Sequence, residues 1–153
     1  MNQKVRYRWL GVFLLLIKTS TLFAEKTPSD LFLTSSVHDN PFFVTASHNT
    51  ADKAYLEKIK IRYLIEAIRR SSLTFIRNGD SHKGAEAAAH LLWKYSQTEA
   101  RVKTARDFIE GVASQSMPSG NQYLLKLSEN KTYPLRDVLY NELERLEQFS
   151  ELK

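Results

Sequence analysis

The chain has 153 residues, 42% hydrophobic and 25% charged, the length and balance of one globular domain. It contains no cysteine, which excludes disulfides, thiolate catalysis, iron–sulfur ligation and lipid attachment through a thiol. Its 22 basic against 17 acidic side chains suggest a nucleic-acid partner, but residues 1–24 hold four of the basic residues and no acidic one. The remainder, 18 against 17, is nearly neutral, so no nucleic-acid partner is expected.

Those first 24 residues, MNQKVRYRWLGVFLLLIKTSTLFA, place Lys4, Arg6 and Arg8 ahead of an apolar run from Trp9 to Ile17 and end on Ala24. A basic head, a short apolar middle and a small terminal residue form the pattern of a secretory signal peptide. The run is far shorter than the roughly 20 residues a membrane-spanning helix needs. The pattern predicts cleavage near Ala24 and a periplasmic or secreted mature protein. It meets a membrane only through the leader, if that stays uncleaved. Residues 25–49 follow, rich in Ser, Thr and Asn with two prolines, and read as a flexible tether. Its apolar patches, Leu31–Leu33 and Phe42–Val44, are expected to pack on the domain that follows.

A single helical domain is predicted over residues 50–150. Thr50 or Asp52 can cap a first helix. From Tyr55 to Ile68 apolar residues fall on more than one stripe, so this helix should be covered on two sides. The stretch Thr74–Arg77 reads as a short extended link, and Asn78-Gly79 as a turn requiring positive φ. A second helix, from about Lys83 to Tyr95, turns Ala85, Ala88, Leu92 and Tyr95 inward. A third opens at Thr104, with Asp107 at capping-box spacing, and carries Val102, Ala105, Phe108, Ile109, Val112 and Ala113 at helical spacing. Pro118 and Gly120 end it. Tyr123, Leu125 and Leu127 alternate as a strand, Thr132-Tyr133 returns as its partner, and Pro134 starts a last helix bearing Leu135, Val138, Leu139, Leu143, Leu146 and Phe149. The expected fold is mainly α, about four helices with a small β-hairpin before the last.

Glu86 and His90 stand one helical turn apart, and His82 joins the row if the helix starts early. Residues 82 and 90 lie about 12 Å apart along such a helix, so the row cannot close on one zinc ion with bonds of about 2 Å. No metal and no other cofactor is expected. The pair suits a surface or core hydrogen bond, or a polar ligand site. Arg77 and Asn78 bracket the turn before the helix, where a guanidinium can grip an anion or hold the corner together. Ser114, Ser116 and Ser119 lie in the loop that ends the third helix. They supply caps and turn bonds, or a nucleophile for His90 and Glu86. The Gly-x-Ser-x-Gly elbow is absent, and Ser128–Lys131 matches Ser-x-x-Lys on a turn without the companion motifs of penicillin-binding enzymes.

The segments FIRNGD, EAAAHL and TARDFIEGVASQSMPSGNQYLLKL, in that order, resemble the YfeK-like family of small exported bacterial proteins, classed as a domain of unknown function. The resemblance covers residues 54 to 146 and implies export in a Gram-negative bacterium, with no activity attached. Matching positions are Phe75, Arg77, Asn78 and Gly79; Glu86, Ala87, His90 and Leu91; Thr104, Phe108 and Ile109; and Ser114, Ser116, Ser119, Gly120 and Tyr123. These readings point to a non-enzymatic binding or envelope-associated domain with an unidentified envelope ligand or protein as partner. Its candidate surface is Arg77, Asn78, Glu86, His90, Ser114, Ser116, Ser119 and Tyr123. The alternative is a small envelope hydrolase using a Ser/His/Glu constellation.

Overall fold

The helix from Lys53 to Arg70 buries Ile59, Ile61, Tyr63, Leu64, Ala67 and Ile68 on several of its sides, and other elements pack around it. The computed structural model describes residues 27–48 and 52–151; the predicted leader lies outside the described residues. In chain order they form α1 (Phe43–Ser47), α2 (Lys53–Arg70), β1 (Thr74–Arg77), β2 (Asp80–His82), α3 (Gly84–Thr98), α4 (Ala105–Phe108, continued by a π-helical turn, Ile109–Ala113), β3 (Leu124–Ser128), β4 (Lys131–Pro134) and α5 (Leu135–Glu151). Asp52 caps α2 by accepting from the Tyr55 N–H at 2.9 Å, and Arg69 and Arg70 occupy its last turn, where cations oppose the helix dipole. No helix among the described residues is long and apolar enough to cross a membrane.

The strands form one antiparallel sheet in the order β2-β1-β3-β4. Asn78 at φ 53° and Gly79 at φ 91° make the two-residue turn between β1 and β2, with both central residues in the left-handed region that matches the twist of such a hairpin. Phe75 pairs with Leu125 on one side and His82 on the other, while Leu125 pairs with Tyr133. This row crosses the sheet on the face turned to the core, where Phe75, Leu125 and Tyr133 are buried.

The sheet corrects the expectation of a mainly α fold with about four helices and a small β-hairpin. The described residues hold five α-helices and a four-stranded sheet, and the sheet is central to the architecture. Thr74–Arg77, expected as a link, is an inner strand paired on both sides. A strand of four residues shows too little alternation to announce itself, and its pairing with β3 joins segments about fifty residues apart. The inward stripe of α3 is Ala88, Leu91 and Tyr95; Leu92, expected inside, is 52% exposed. In α5, Leu135, Val138, Leu139, Leu143 and Leu146 are buried, and Phe149 lies at the edge against Phe43 and His38.

Residues 27–48, expected as a tether, contribute Leu33, Val37, Phe43 and Ala46 to the core. The anchor is Glu142, a fully buried carboxylate on α5. It accepts from the Leu33 N–H at 2.6 Å, from Arg145 at 2.6 Å and from the Tyr63 hydroxyl at 3.4 Å. Arg145 also donates to the Thr34 carbonyl and lies over the Phe32 ring, so the buried charge is paired and hydrogen-bonded.

Gly84 starts α3 hard against the end of α2. A Cβ there would overlap the Ile68 carbonyl oxygen and approach the Ser71 carbonyl oxygen to 2.7 Å, both backbone atoms that cannot swing aside. Gly84→Ala should therefore lower stability by about 1–3 kcal/mol, read from the urea midpoint. Gly111→Ala meets open space, and its midpoint should stay level or rise, by up to about 1 kcal/mol of helix propensity.

Candidate functional site

Beside the core face of α3 runs a second stripe at helical spacing: His90, Trp93, Lys94, Gln97 and Thr98. It forms one wall of an open cleft of about 480 Å³. The β1–β2 hairpin closes one end with Arg77 and Asn78, and Ser116, Met117 and Pro118 of the loop after α4 form the facing wall. The volume falls in the range of small-molecule sites, roughly 300–1,000 Å³. Behind His90 lies a second void of about 20 Å³, bounded by Phe75, His82 and Leu91 and too small for an organic ligand.

Lys94 is the buried charge of this region, 7% exposed. Its ammonium donates to the Val112 carbonyl at 2.5 Å, the Gln115 carbonyl at 2.9 Å and the Tyr123 hydroxyl oxygen at 3.3 Å, one acceptor for each proton. Two of these are carbonyls where the π-helical turn ends, left without intrahelical donors, and the cation also sits at the negative end of the helix dipole. Burial pushes the Lys94 ammonium below its ordinary pKa. Ser114 completes the helix end by donating to the Ile109 carbonyl at 2.6 Å.

The hairpin tip is latched to the loop through one side chain. The Asn78 amide oxygen accepts from the Ser119 hydroxyl at 2.7 Å and the Asn121 amide at 3.3 Å, and its NH₂ donates to the Ser116 hydroxyl at 3.4 Å. Within the loop, the Ser116 N–H meets the Asn121 carbonyl at 2.9 Å and the Gly120 N–H the Ser116 carbonyl at 2.8 Å. Gly120, at φ 69°, supplies the left-handed turn.

His90 Nε2 lies 3.2 Å from the Tyr123 hydroxyl. A neutral imidazole accepts the hydroxyl proton or donates to the hydroxyl oxygen according to its tautomer, and the same oxygen accepts from Lys94. Burial, then the charges of Arg77, Lys94 and His82, hold His90 below its usual pKa and favour that neutral form. Burial pushes the Tyr123 hydroxyl up. Arg77 and Arg101 have no hydrogen bond or ion pair from their guanidinium groups among the described residues, and no Asp or Glu lines the cleft. The lining carries cations and no carboxylate, while Arg101 and Met117 also border an adjoining hollow of about 390 Å³ that Asp107 and Glu110 line.

Arg77, Asn78, His90, Ser116 and Tyr123 thus meet at one place, with Ser119 just behind as part of the latch. Ser114 and Glu86 do not join them. Ser114 serves the helix end, and the exposed Glu86 carboxylate faces the Lys83 N–H at 3.4 Å and the His82 ring at 3.5 Å, a capping role. Among the described residues no serine hydroxyl is hydrogen-bonded to His90, and no group of three His, Asp or Glu side chains is placed to hold a metal ion. Trp93, Lys94 and Arg101 are site residues that the sequence does not single out, whereas Met117 lies in the SQSMPSG loop expected as part of the surface. Their signal was the stripe itself: Trp93 and Lys94 lie three and four positions after His90, on one helical face.

Residues 55–147 match a family described as a family of unknown function, DUF5329. An uncharacterized protein, YfeK, of Salmonella typhimurium (strain LT2) is 41% identical over 68 residues, 44% of this chain. The chain spans 57% of the length of that relative. No solved structure matches.

Removing the Arg77 charge should relieve His90. Arg77→Gln is expected to raise the His90 pKa toward about 6.5, followed by NMR titration of the ring. A histidine whose folded pKa lies below its unfolded value contributes stability above the unfolded pKa and loses it as pH falls through the folded one. Stability of the parent should therefore decline on acidification below about pH 6.5, and Arg77→Gln should soften the part that belongs to His90.

Proposed function

The chain belongs to the DUF5329 family of unknown function, and for it we propose a non-enzymatic ligand-binding role outside the bacterial cytoplasm, with the cleft beside α3 as the binding site. One observation carries this reading. The walls of a ligand-sized cleft are fixed by the chain's own hydrogen bonds, through Lys94 on one side and Asn78 on the other. A site held in place this way spends little binding energy on ordering itself.

The placement of the serines supports binding over hydrolysis. Ser114, Ser116 and Ser119 hold the helix end and the latch, and His90 is engaged by Tyr123. A Ser/His/Glu mechanism needs a nucleophile in contact with its base, and Glu86 is turned away toward Lys83 and His82. Export is supported by the basic head, apolar middle and Ala24 of residues 1–24. The partner is then an envelope ligand or protein met after secretion, with membrane contact confined to the leader.

A thermal-shift screen of small molecules tests the role. At a hundred times its dissociation constant, a ligand stabilises the folded state by about 2.7 kcal/mol. In a domain of this size that raises the Tm by several degrees. Compounds that do so for the parent should lose the effect with Trp93→Ala, which opens the cleft wall without touching the latch. Equal shifts in both proteins would contradict the assignment of the cleft. Ester hydrolysis by the parent that disappears with Ser116→Ala would contradict the non-enzymatic role. Mass spectrometry of the exported protein should place its N-terminus just after Ala24, and a purely cytoplasmic chain starting at Met1 would contradict the location.

A further inference from the structure

The chemistry of the cleft narrows the class of its ligand. Lys94, the most deeply buried cation lining it, has all three protons assigned to Val112, Gln115 and Tyr123, so it has none to offer an incoming group. His90 is held neutral by its surroundings. Positive charge available to a ligand therefore rests on Arg77 and Arg101, whose guanidinium groups have no partner among the described residues. They stand at opposite ends of the α3 stripe. Arg77 is close enough to His90 to depress its protonation, whereas Arg101 follows the end of the helix, its N–H bonded to the Thr98 carbonyl at 2.8 Å. His90 to Thr98 alone spans about 12 Å at 1.5 Å per residue.

Between these ends the lining is apolar and unusually open. Trp93 on α3 is 60% exposed and Met117 in the loop after α4 is 67% exposed, and both line the cleft. A tryptophan indole and a flexible thioether left exposed in one cleft are suited to grip an apolar body of variable shape. A carboxylate-free lining with unpaired guanidiniums at its ends suits an anion, because no internal counter-charge has to be displaced.

We propose that the cleft binds organic anions, a carboxylate, sulfonate or phosphate group carried on an apolar body, with the charged group paired to Arg77 at one end of the stripe or to Arg101 at the other, and Trp93 and Met117 clasping the body. This deepens the binding reading and rests on it. The apolar body is alkyl or aromatic, and the two are told apart by competition. Inorganic anions alone bind weakly, since they leave the Trp93–Met117 contact unused. Neutral hydrophobic compounds bind weakly because they leave both guanidiniums unpaired.

The chain has two tryptophans, Trp9 in the leader and Trp93 in the cleft, so the full chain carrying Trp9→Phe reports from Trp93 alone. Anilinonaphthalene sulfonate should quench Trp93 emission, and phenylnaphthylamine, the same body without the anion, should bind at least about tenfold more weakly. Arg77→Gln and Arg101→Gln should each weaken the sulfonate by up to about tenfold, and together more, with little change for the neutral probe. Their urea midpoints should stay near the parent's, because neither guanidinium has a hydrogen-bond partner to lose among the described residues. Displacement of the sulfonate by dodecanoate marks an alkyl body and by naphthoate an aromatic one, either supporting the class. Inorganic phosphate should fail to displace it at equal concentration. Equal binding of the neutral and anionic probes, or no effect of either arginine substitution, overturns the ligand class while leaving a cleft that binds. Silence of Trp93 toward every probe overturns the class as well, and the thermal-shift screen then decides the binding role separately.

Discussion

A single ammonium group, buried where a helix, a helix end and a strand converge, sets the geometry of the candidate site. Taking a charge out of water is costly unless each of its protons finds an acceptor. Lys94 meets that demand with the Val112 and Gln115 carbonyls and the Tyr123 hydroxyl, so α3, the π-helical turn after α4 and the approach to β3 are held at fixed distances. The benefit is mutual, since the helix end gains donors for carbonyls it cannot pair itself. The position of Tyr123 then decides the orientation of His90, and the wall of the cleft follows from both.

The opposite wall depends on a neutral device. Asn78 occupies a left-handed turn position that asparagine tolerates well, and from there its amide reaches Ser116, Ser119 and Asn121. The same hairpin turn that ends β1 therefore pins the loop bearing Met117 and Pro118. A division of labour among the polar groups results. The buried lysine and the asparagine hold the walls, the serines serve caps and latch, and the Arg77 and Arg101 guanidiniums have no partner among the described residues. The residues that look most reactive in the sequence are largely occupied by structure, and those with capacity to spare lie around them.

Much of this was legible beforehand, for identifiable reasons. The cap at Thr104, the positive-φ turn at Asn78-Gly79 and the buried stripe of α5 are local patterns, carried by residues within a few positions of each other. The convergence of Arg77, Asn78, His90, Ser116 and Tyr123 was anticipated as a shared surface. The sheet was not, because the pairing of β1 with β3 depends on contacts about fifty residues apart between segments only four and five residues long. Lys94 escaped notice because a lysine on a helix is ordinarily solvated, and its burial depends on where the end of α4 comes to rest. Glu86 was paired with His90 by spacing alone. Because Glu86 is the third residue of α3, the open N–H of Lys83 competes for its carboxylate.

If the buried ammonium joins α3 to the Tyr123 hydroxyl as one unit, a double-mutant cycle between the two side chains reads it. Urea unfolding of the parent, Lys94→Met, Tyr123→Phe and the double variant gives the coupling between the two side chains. The single losses should fail to add, with a coupling energy of about 0.5–3 kcal/mol, the range for residues in one hydrogen-bond network. Losses that add to within about 0.5 kcal/mol would mean that the two residues act independently, and the cleft wall would then need another explanation.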